Sequence, residues 1–266
     1  MITNQSDHFS VGANLFGVVM AAQQKQWDSL DKMIHGFQQA CQKLKYAKIP
    51  VVAAPYGMTV GGLEVCLGAD VQVYAETCAG LVEVGVGLIP GGGGCLNLTW
   101  RALENAPEGA DVIIDPLVAQ VFKNIAMANV ATSAMMAQHY GYFRQETASR
   151  GWARQLYEAK RRAIALAETG YHLPAPRAHK LLGESGIATI SMLRTLGRRW
   201  LRHRVRRFHR TQARLRAVRR SGGAAAPSPS SRCSTWSARS SSSLCGEQKS
   251  QERMQHMLMN NKPLRN

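Results

Sequence analysis

The stretch Lys48-IPVVAAPYGMTVGGLEVCLGADVQVYAETCAGLVEVGVGLIPGGG-Gly94 sets the architecture of this 266-residue chain. Its first apolar run, Pro50 to Ala54 with Ile49 before it, suits a strand covered on both faces. Tyr56-Gly57 breaks that run, and Val71 to Ala75 restarts a strand. Between them Leu63 to Ala69 reads as a short helix, whose amino end follows Gly61 and Gly62 and leaves unpaired N–H groups for whatever docks there. Two glutamates, Glu64 and Glu83, stand in this glycine-rich run. Paired carboxylates can divide general-acid and general-base work, and glycines let main-chain donors approach a substrate, so the stretch points to chemistry at an activated carbonyl.

Outward from it, Trp27 to Tyr46 places Leu30, Met33, Ile34, Phe37, Ala40, Cys41 and Leu44 at helical spacing against a charged side. Leu96 to Leu103, Pro116 to Met127 and Tyr157 to Glu168 are helix candidates, and Ser133 can cap a helix to His139 that Gly141 ends. Strands alternating with helices give an α/β class. The six cysteines form no Cys-x-x-Cys pair and have no histidine at zinc-ligand spacing, so no metal site is expected and the thiols fit a reducing compartment. The apolar stretch Val11 to Ala22 is interrupted by Asn14 and has no Lys or Arg before it, which argues against a secretion signal. With no run long enough to span a membrane, the expected location is the cytoplasm.

Taken together, Lys48 to Ala54, Gly57, Gly61-Gly62-Leu63-Glu64, Gly68-Ala69-Asp70, Glu83 and Leu88 to Gly94, with Phe9 to Asn14 upstream and Ala131 to Gly141 downstream, resemble the crotonase, or enoyl-CoA hydratase/isomerase, superfamily. Ala75-Glu76-Thr77, Gly183-Glu184-Ser185-Gly186 and Ser243 to Asn266 are similar to the C-terminal hydratase-like domain of bacterial multifunctional 3-hydroxyacyl-CoA dehydrogenases. The resemblance implies a spiral of ββα units, N-terminally incomplete in this chain. It implies Glu64 and Glu83 as the catalytic pair, backbone N–H groups of Ala13 and Gly61 as an oxyanion hole, and Gly62, Pro90 and Gly91 as substrate-binding positions. The partner it implies is an acyl-CoA thioester, taken as substrate, and its members are trimeric. No resident cofactor is expected, because NAD belongs to a dehydrogenase portion without counterpart here, and no Gly-x-Gly-x-x-Gly followed by an acidic residue is present. Both acids present favours hydration over isomerisation.

The formal charge of +16 is local. Fourteen arginines and no Lys, Asp or Glu lie between Arg194 and Ser243; without them the chain carries +2. The domain organisation read from this is residues 1–190 as the crotonase-like domain, 191–243 as an Arg/Ser-rich low-complexity segment, disordered and read out of frame, and 244–266 as the family tail. A rival reading makes the arginines a basic arm for nucleic acid, but aromatic residues for stacking are few, so no specific nucleic-acid partner is expected. A non-catalytic acyl-CoA binder is the other alternative.

Overall fold

Short parallel rungs, each followed by a helix or turn at its carboxyl end, build the molecule. A computed structural model describes residues 1–104, 115–144, 152–174, 237 and 239–264. After α1 (Leu15–Gln23) and α2 (Trp27–Lys45) come β1 (Val52–Ala53), β2 (Gly57–Val60) and α3 (Leu63–Gly68), then β3 (Val71–Gln72), β4 (Thr77–Gly80) and a 3₁₀ turn at Glu83–Val86. The first strand of each pair stacks on its counterpart, β1 on β3 with Val52 opposite Val71. The second does likewise, β2 on β4 with Gly57 opposite Thr77, and both pairings are parallel. Isolated parallel bridges from Ile2 to Ala53 and from Ser10 to Thr59 add a further rung before β1 and β2. This is the repeating ββα spiral expected from the sequence.

The corner between the two strand layers explains why β2 was illegible as a strand. Gly57 has φ +55°, and a Cβ there would sit 2.7 Å from the carbonyl oxygen of Asp7. Glycine is therefore required to turn the chain out of one sheet and into the next, and it opens β2 as well as ending the run before it. Tyr56 caps the same corner, its hydroxyl donating to the carbonyls of Asn4 and Ser6.

Downstream, α4 (Gly94–Leu103), α5 (Asp115–Ala126), β5 (Val130–Ala131), α6 (Ala134–His139) and α7 (Trp152–Glu168) follow, and α8 (Gln248–Asn260) closes the described chain. β5 pairs antiparallel on the outer side of β4. Ser133 caps α6 as read, its hydroxyl accepting from Met136 N, and Gly141 follows the helix with φ +74°. Asn14, which interrupts the apolar N-terminal run, is the cap of α1 and accepts from Gly17 N. α2 matches its expected span, but Met33 and Phe37 are 49% and 40% exposed, because the elements packed on this helix reach only the stripe marked by Leu30, Gln38 and Cys41.

The main core lies between α3, α4, α5 and the β2–β4–β5 sheet, with Leu63, Cys66, Leu81, Leu98, Ile125 and Phe143 buried in it. A second cluster joins α1 and α2 to α8 and the 3₁₀ turn through Val18, Leu30, Val86 and Met254. Most of the arginine-rich stretch lies outside the described residues, as do Gly183 to Gly186. Its carboxyl end is described, and there the expected disorder does not hold: residues 239–245 are helical, and Ser237, Ser240 and Ser241 are buried. Serine hydroxyls can be enclosed there by bonding in either direction, Ser241 Oγ donating to Ile89 O at 3.3 Å and Ser237 Oγ accepting from Gln38 Nε2 at 3.2 Å. No helix among the described residues is long and apolar enough to cross a membrane.

α7 is tied to the rungs by one buried amide. Gln155 Nε2 donates to Pro55 O at 2.7 Å and to Val73 O at 2.8 Å. Gln155→Leu should lower the unfolding free energy by about 1–2 kcal/mol, since it leaves two enclosed carbonyls without their donor. Denaturant titration of the two proteins measures this, and equal midpoints would show the amide to be dispensable.

Candidate active site

Three successive rungs of one parallel set deliver three loops to one end of the sheet. Ser10, β2 and β4 lie side by side, and their carboxyl ends lead into residues 11–14, into Gly61-Gly62 and into the turn that begins at Glu83. The carboxyl ends of parallel strands are where open α/β sheets place their ligands.

The first two loops touch. Gly61 has φ +74°, and a Cβ on it would lie 2.6 Å from Gly12 Cα; one on Gly62 would lie 2.5 Å from Ser10 Cβ. Ser10 Oγ holds the crossing by donating to Val60 O at 3.3 Å and accepting from Gly12 N at 3.2 Å. The backbone N–H groups of Ala13 and Gly61 therefore lie on adjoining loops, and neither donates to an acceptor among the described residues. They are available to an outside oxygen.

Glu64 is 3% exposed, near the start of α3. Its Oε1 accepts from Gly94 N at 2.7 Å, and the neighbouring N–H groups of Gly92 and Gly93 also favour its charged form. Gly94 N is the first donor of α4, a helix whose own cap residue, Gly93, has no side chain to satisfy it. Glu64 thus caps α4 from another element, with the positive end of the helix dipole added to the Gly94 hydrogen bond. The four glycines make room for this. A Cβ on Gly92 would sit 2.9 Å from Glu64 Oε2 and 2.4 Å from the Phe37 ring, and one on Gly94 would sit 3.0 Å from Glu64 Oε1.

Glu83 opens the 3₁₀ turn. It is half-buried, and its Oε2 is sealed from solvent with no hydrogen-bond partner among the described residues. Burial raises the pKa of both carboxyls. For Glu64 the three glycine N–H groups oppose that rise; for Glu83 the negative charge of Glu64 adds to it. The two acids therefore share one neighbourhood and are unequal. As a coupled pair they release their protons in two steps, both above the ordinary carboxyl range.

Pro90 and Gly91 are buried, and Gly91 is enclosed by Ile34, Gln38 and Ser241, so they shape the glycine turn. Gly62 is likewise buried, beneath Ser10 and Phe9. Sequence reasoning passed over Gln38, Ser241 and Ser250. Gln38 lies in helical phase with Leu30, Ile34 and Cys41, a signal that an amide on that face has a buried partner. Among the described residues no group of three or more His, Cys, Asp or Glu side chains could hold a metal ion. An open pocket of about 400 Å³ is lined by Trp27, Asp28, Asp31, Ser242, Ser243 and Gly246. It lies at the far end of α2, ten residues and about 15 Å along the helix from Phe37.

Comparison with known proteins agrees with the spiral fold. The chain superposes on an enoyl-CoA hydratase from Bacillus halodurans with a TM-score of 0.60, covering 95% of this chain and 79% of that one at 12% identity. It superposes on a carnitinyl-CoA dehydratase from Mycobacterium thermoresistibile with a TM-score of 0.56, over 97% and 75% of the two chains at 17% identity. The chain has the fold of the crotonase superfamily. In sequence this crotonase-fold chain is 37% identical over 273 residues to the "Probable 3-hydroxyacyl-CoA dehydrogenase" of Bacillus subtilis, an alignment covering all of this chain and 34% of that protein. It is 33% identical over 102 residues to the "Fatty acid oxidation complex subunit alpha" of Shewanella frigidimarina, covering 37% of this chain and 14% of that protein. The chain thus spans about a third or less of the curated relatives it matches. No family model matches it.

The raised carboxyls of this crotonase-fold site have a consequence for stability. The folded protein holds protons that the unfolded chain releases above its ordinary carboxyl pKa of 4.5, so their contribution is complete below that pH and is lost as pH rises through the folded-state values. Glu83→Gln should therefore be more stable than the parent at pH 8, by about 1–2 kcal/mol, and close to it at pH 4.5. Thermal unfolding at the two pH values measures the difference; an equal effect at both would mean that Glu83 titrates normally.

Proposed function

We propose that this chain forms a site that adds water across the double bond of trans-2-enoyl-CoA thioesters. The observation that carries the reading is the carboxyl pair, Glu64 held by Gly94 N at the start of α4 and Glu83 with its Oε2 unpartnered among the described residues, beside two loops whose Ala13 and Gly61 N–H groups donate to no described acceptor. The thioester oxygen accepts from the N–H groups of Ala13 and Gly61, which stabilise the enolate charge as it develops; one such donor is worth roughly 10²–10³-fold in rate. Glu64, as carboxylate, removes a proton from water while the water oxygen bonds to the β carbon. Glu83 delivers its proton to the α carbon as the enolate collapses, and the two acids then exchange their proton to reset the pair. A pair that carries one proton near neutral pH suits both steps.

The names of the relatives support this chemistry. The Bacillus halodurans and Mycobacterium proteins are named for hydration or dehydration of CoA thioesters. The Bacillus subtilis relative is named for dehydrogenating a 3-hydroxyacyl-CoA, which is the product of this hydration. Fatty-acid oxidation is the setting in which the two reactions would meet.

The test is hydration of crotonyl-CoA by the purified chain, followed by loss of the conjugated enoyl absorbance. Glu64→Gln and Glu83→Gln should each reduce kcat by roughly 10²–10⁴-fold. Turnover undiminished in both variants would overturn the reading, and tight acyl-CoA binding without turnover in the parent would replace it with that of a binding domain.

A further inference from the structure

The stripe that α2 turns inward contains one polar residue, Gln38, which is 2% exposed. A primary amide in such a place is costly unless it is bonded. Gln38 Nε2 donates to the carbonyl of Gly91 at 2.7 Å and lies 3.2 Å from Ser237 Oγ. The Gly91 carbonyl belongs to the same peptide group as the N–H of Gly92, and Gly92 lies against the acid: a Cβ on it would sit 2.9 Å from Glu64 Oε2, and its N–H is among the groups that favour the charged carboxylate. A continuous chain therefore runs from the α2 amide through a single peptide plane to the Glu64 carboxylate. The plane is rigid, so fixing its oxygen also fixes the direction of its N–H. Its polarisation is shared too, since a peptide that accepts at oxygen donates more strongly at nitrogen.

We propose that Gln38 is a positioning residue for Glu64, pinning the Gly91–Gly92 peptide so that its N–H faces the carboxylate; its catalytic meaning rests on the hydration reading above. Glycine at 92 has no side chain to resist rotation, and the Phe37 ring against it is half exposed and offers no hydrogen-bond donor. The other groups facing Glu64 come from several elements: Glu83 from the 3₁₀ turn, Cys41 from α2, and the amino end of α4. Cys66, on its own helix, feels Arg101 of α4. Lys45 of α2 is directed elsewhere, to Asn97 and the Trp100 ring. All of these are left in place when Gln38 alone is changed.

The experiment compares the full chain with Gln38→Leu and, as control, Gln42→Leu, whose parent side chain lies one turn further along α2 with no partner for Nε2 among the described residues. The Glu64 carboxyl is followed by ¹³C NMR against pH and assigned by its disappearance in Glu64→Gln. Loss of the pinned donor should move the Glu64 midpoint upward by about 0.5 unit in Gln38→Leu and leave it unmoved in Gln42→Leu. With crotonyl-CoA the acidic limb of the kcat profile should move with it, and kcat should fall roughly tenfold while KM stays within about twofold. An unmoved midpoint in a folded Gln38→Leu protein overturns the proposal. If the parent does not hydrate crotonyl-CoA, the failure falls on the hydration reading, and the NMR midpoint still decides the role of Gln38. Should Gln38→Leu not fold, Gln38→Met keeps the side-chain length without the donor and is read in the same way. If neither folds and Gln42→Leu does, Gln38 serves the fold alone and the proposal fails.

Discussion

The carboxylate of Glu64 against the glycine turn that opens α4, with Gly94 N donating to it at 2.7 Å, is the contact on which the site depends. One interaction satisfies two separate demands. α4 begins in glycines that cannot cap it, and Glu64 is an acid in an apolar interior that cannot remain ionised without donors. Each need is met by the other, so the junction of α3 with α4 is fixed by the same bonds that set the charge state of the acid. The glycine run follows from this, because side chains at 92 and 94 would occupy the space where the carboxylate oxygens sit.

The parallel rungs turn a local contact into a site. Residues at equivalent points of successive rungs emerge at the same end of the sheet, so loops separated by roughly fifty and then twenty positions in sequence become neighbours. Ala13, Gly61 with Glu64, and Glu83 each follow one rung. Their convergence needs no long-range motif. It needs only that the repeat keep its register, which the β2–β4 pairing holds over four consecutive residue pairs.

How much of this was legible in the sequence varied with the physics of each element. Ser133 and Gly141 announced their helix because capping and left-handed termination are local. The glutamates stood out because acids among valines and glycines are costly without a role. β2 and β4 were not legible: in β2 the alternation runs against burial, with Thr59 enclosed and Met58 exposed, β4 is Thr-Cys-Ala-Gly, and tertiary pairing makes them strands. α4 starts two residues earlier than its apolar pattern suggests, because a carboxylate thirty positions away supplies the cap that its glycines lack. The serines at 237–243 read as low complexity, yet three of them are enclosed, since a small hydroxyl can be buried wherever a carbonyl waits. The apolar count on α2 missed Gln38, because composition does not show which face of a helix finds a partner.

The turn that begins at Glu83 is held from the far end of the chain. Ser250, fully buried, donates to the carbonyl of Gly87 across 163 positions, and α8 packs on the same turn. Closing so long a loop carries an entropic penalty that local helices and neighbouring rungs avoid, and during synthesis α8 leaves the ribosome after everything it clasps. Assembly is thus ordered in time: the α3–α4 junction can form while α8 is still unmade, but the Glu83 turn acquires its clasp only once α8 has emerged.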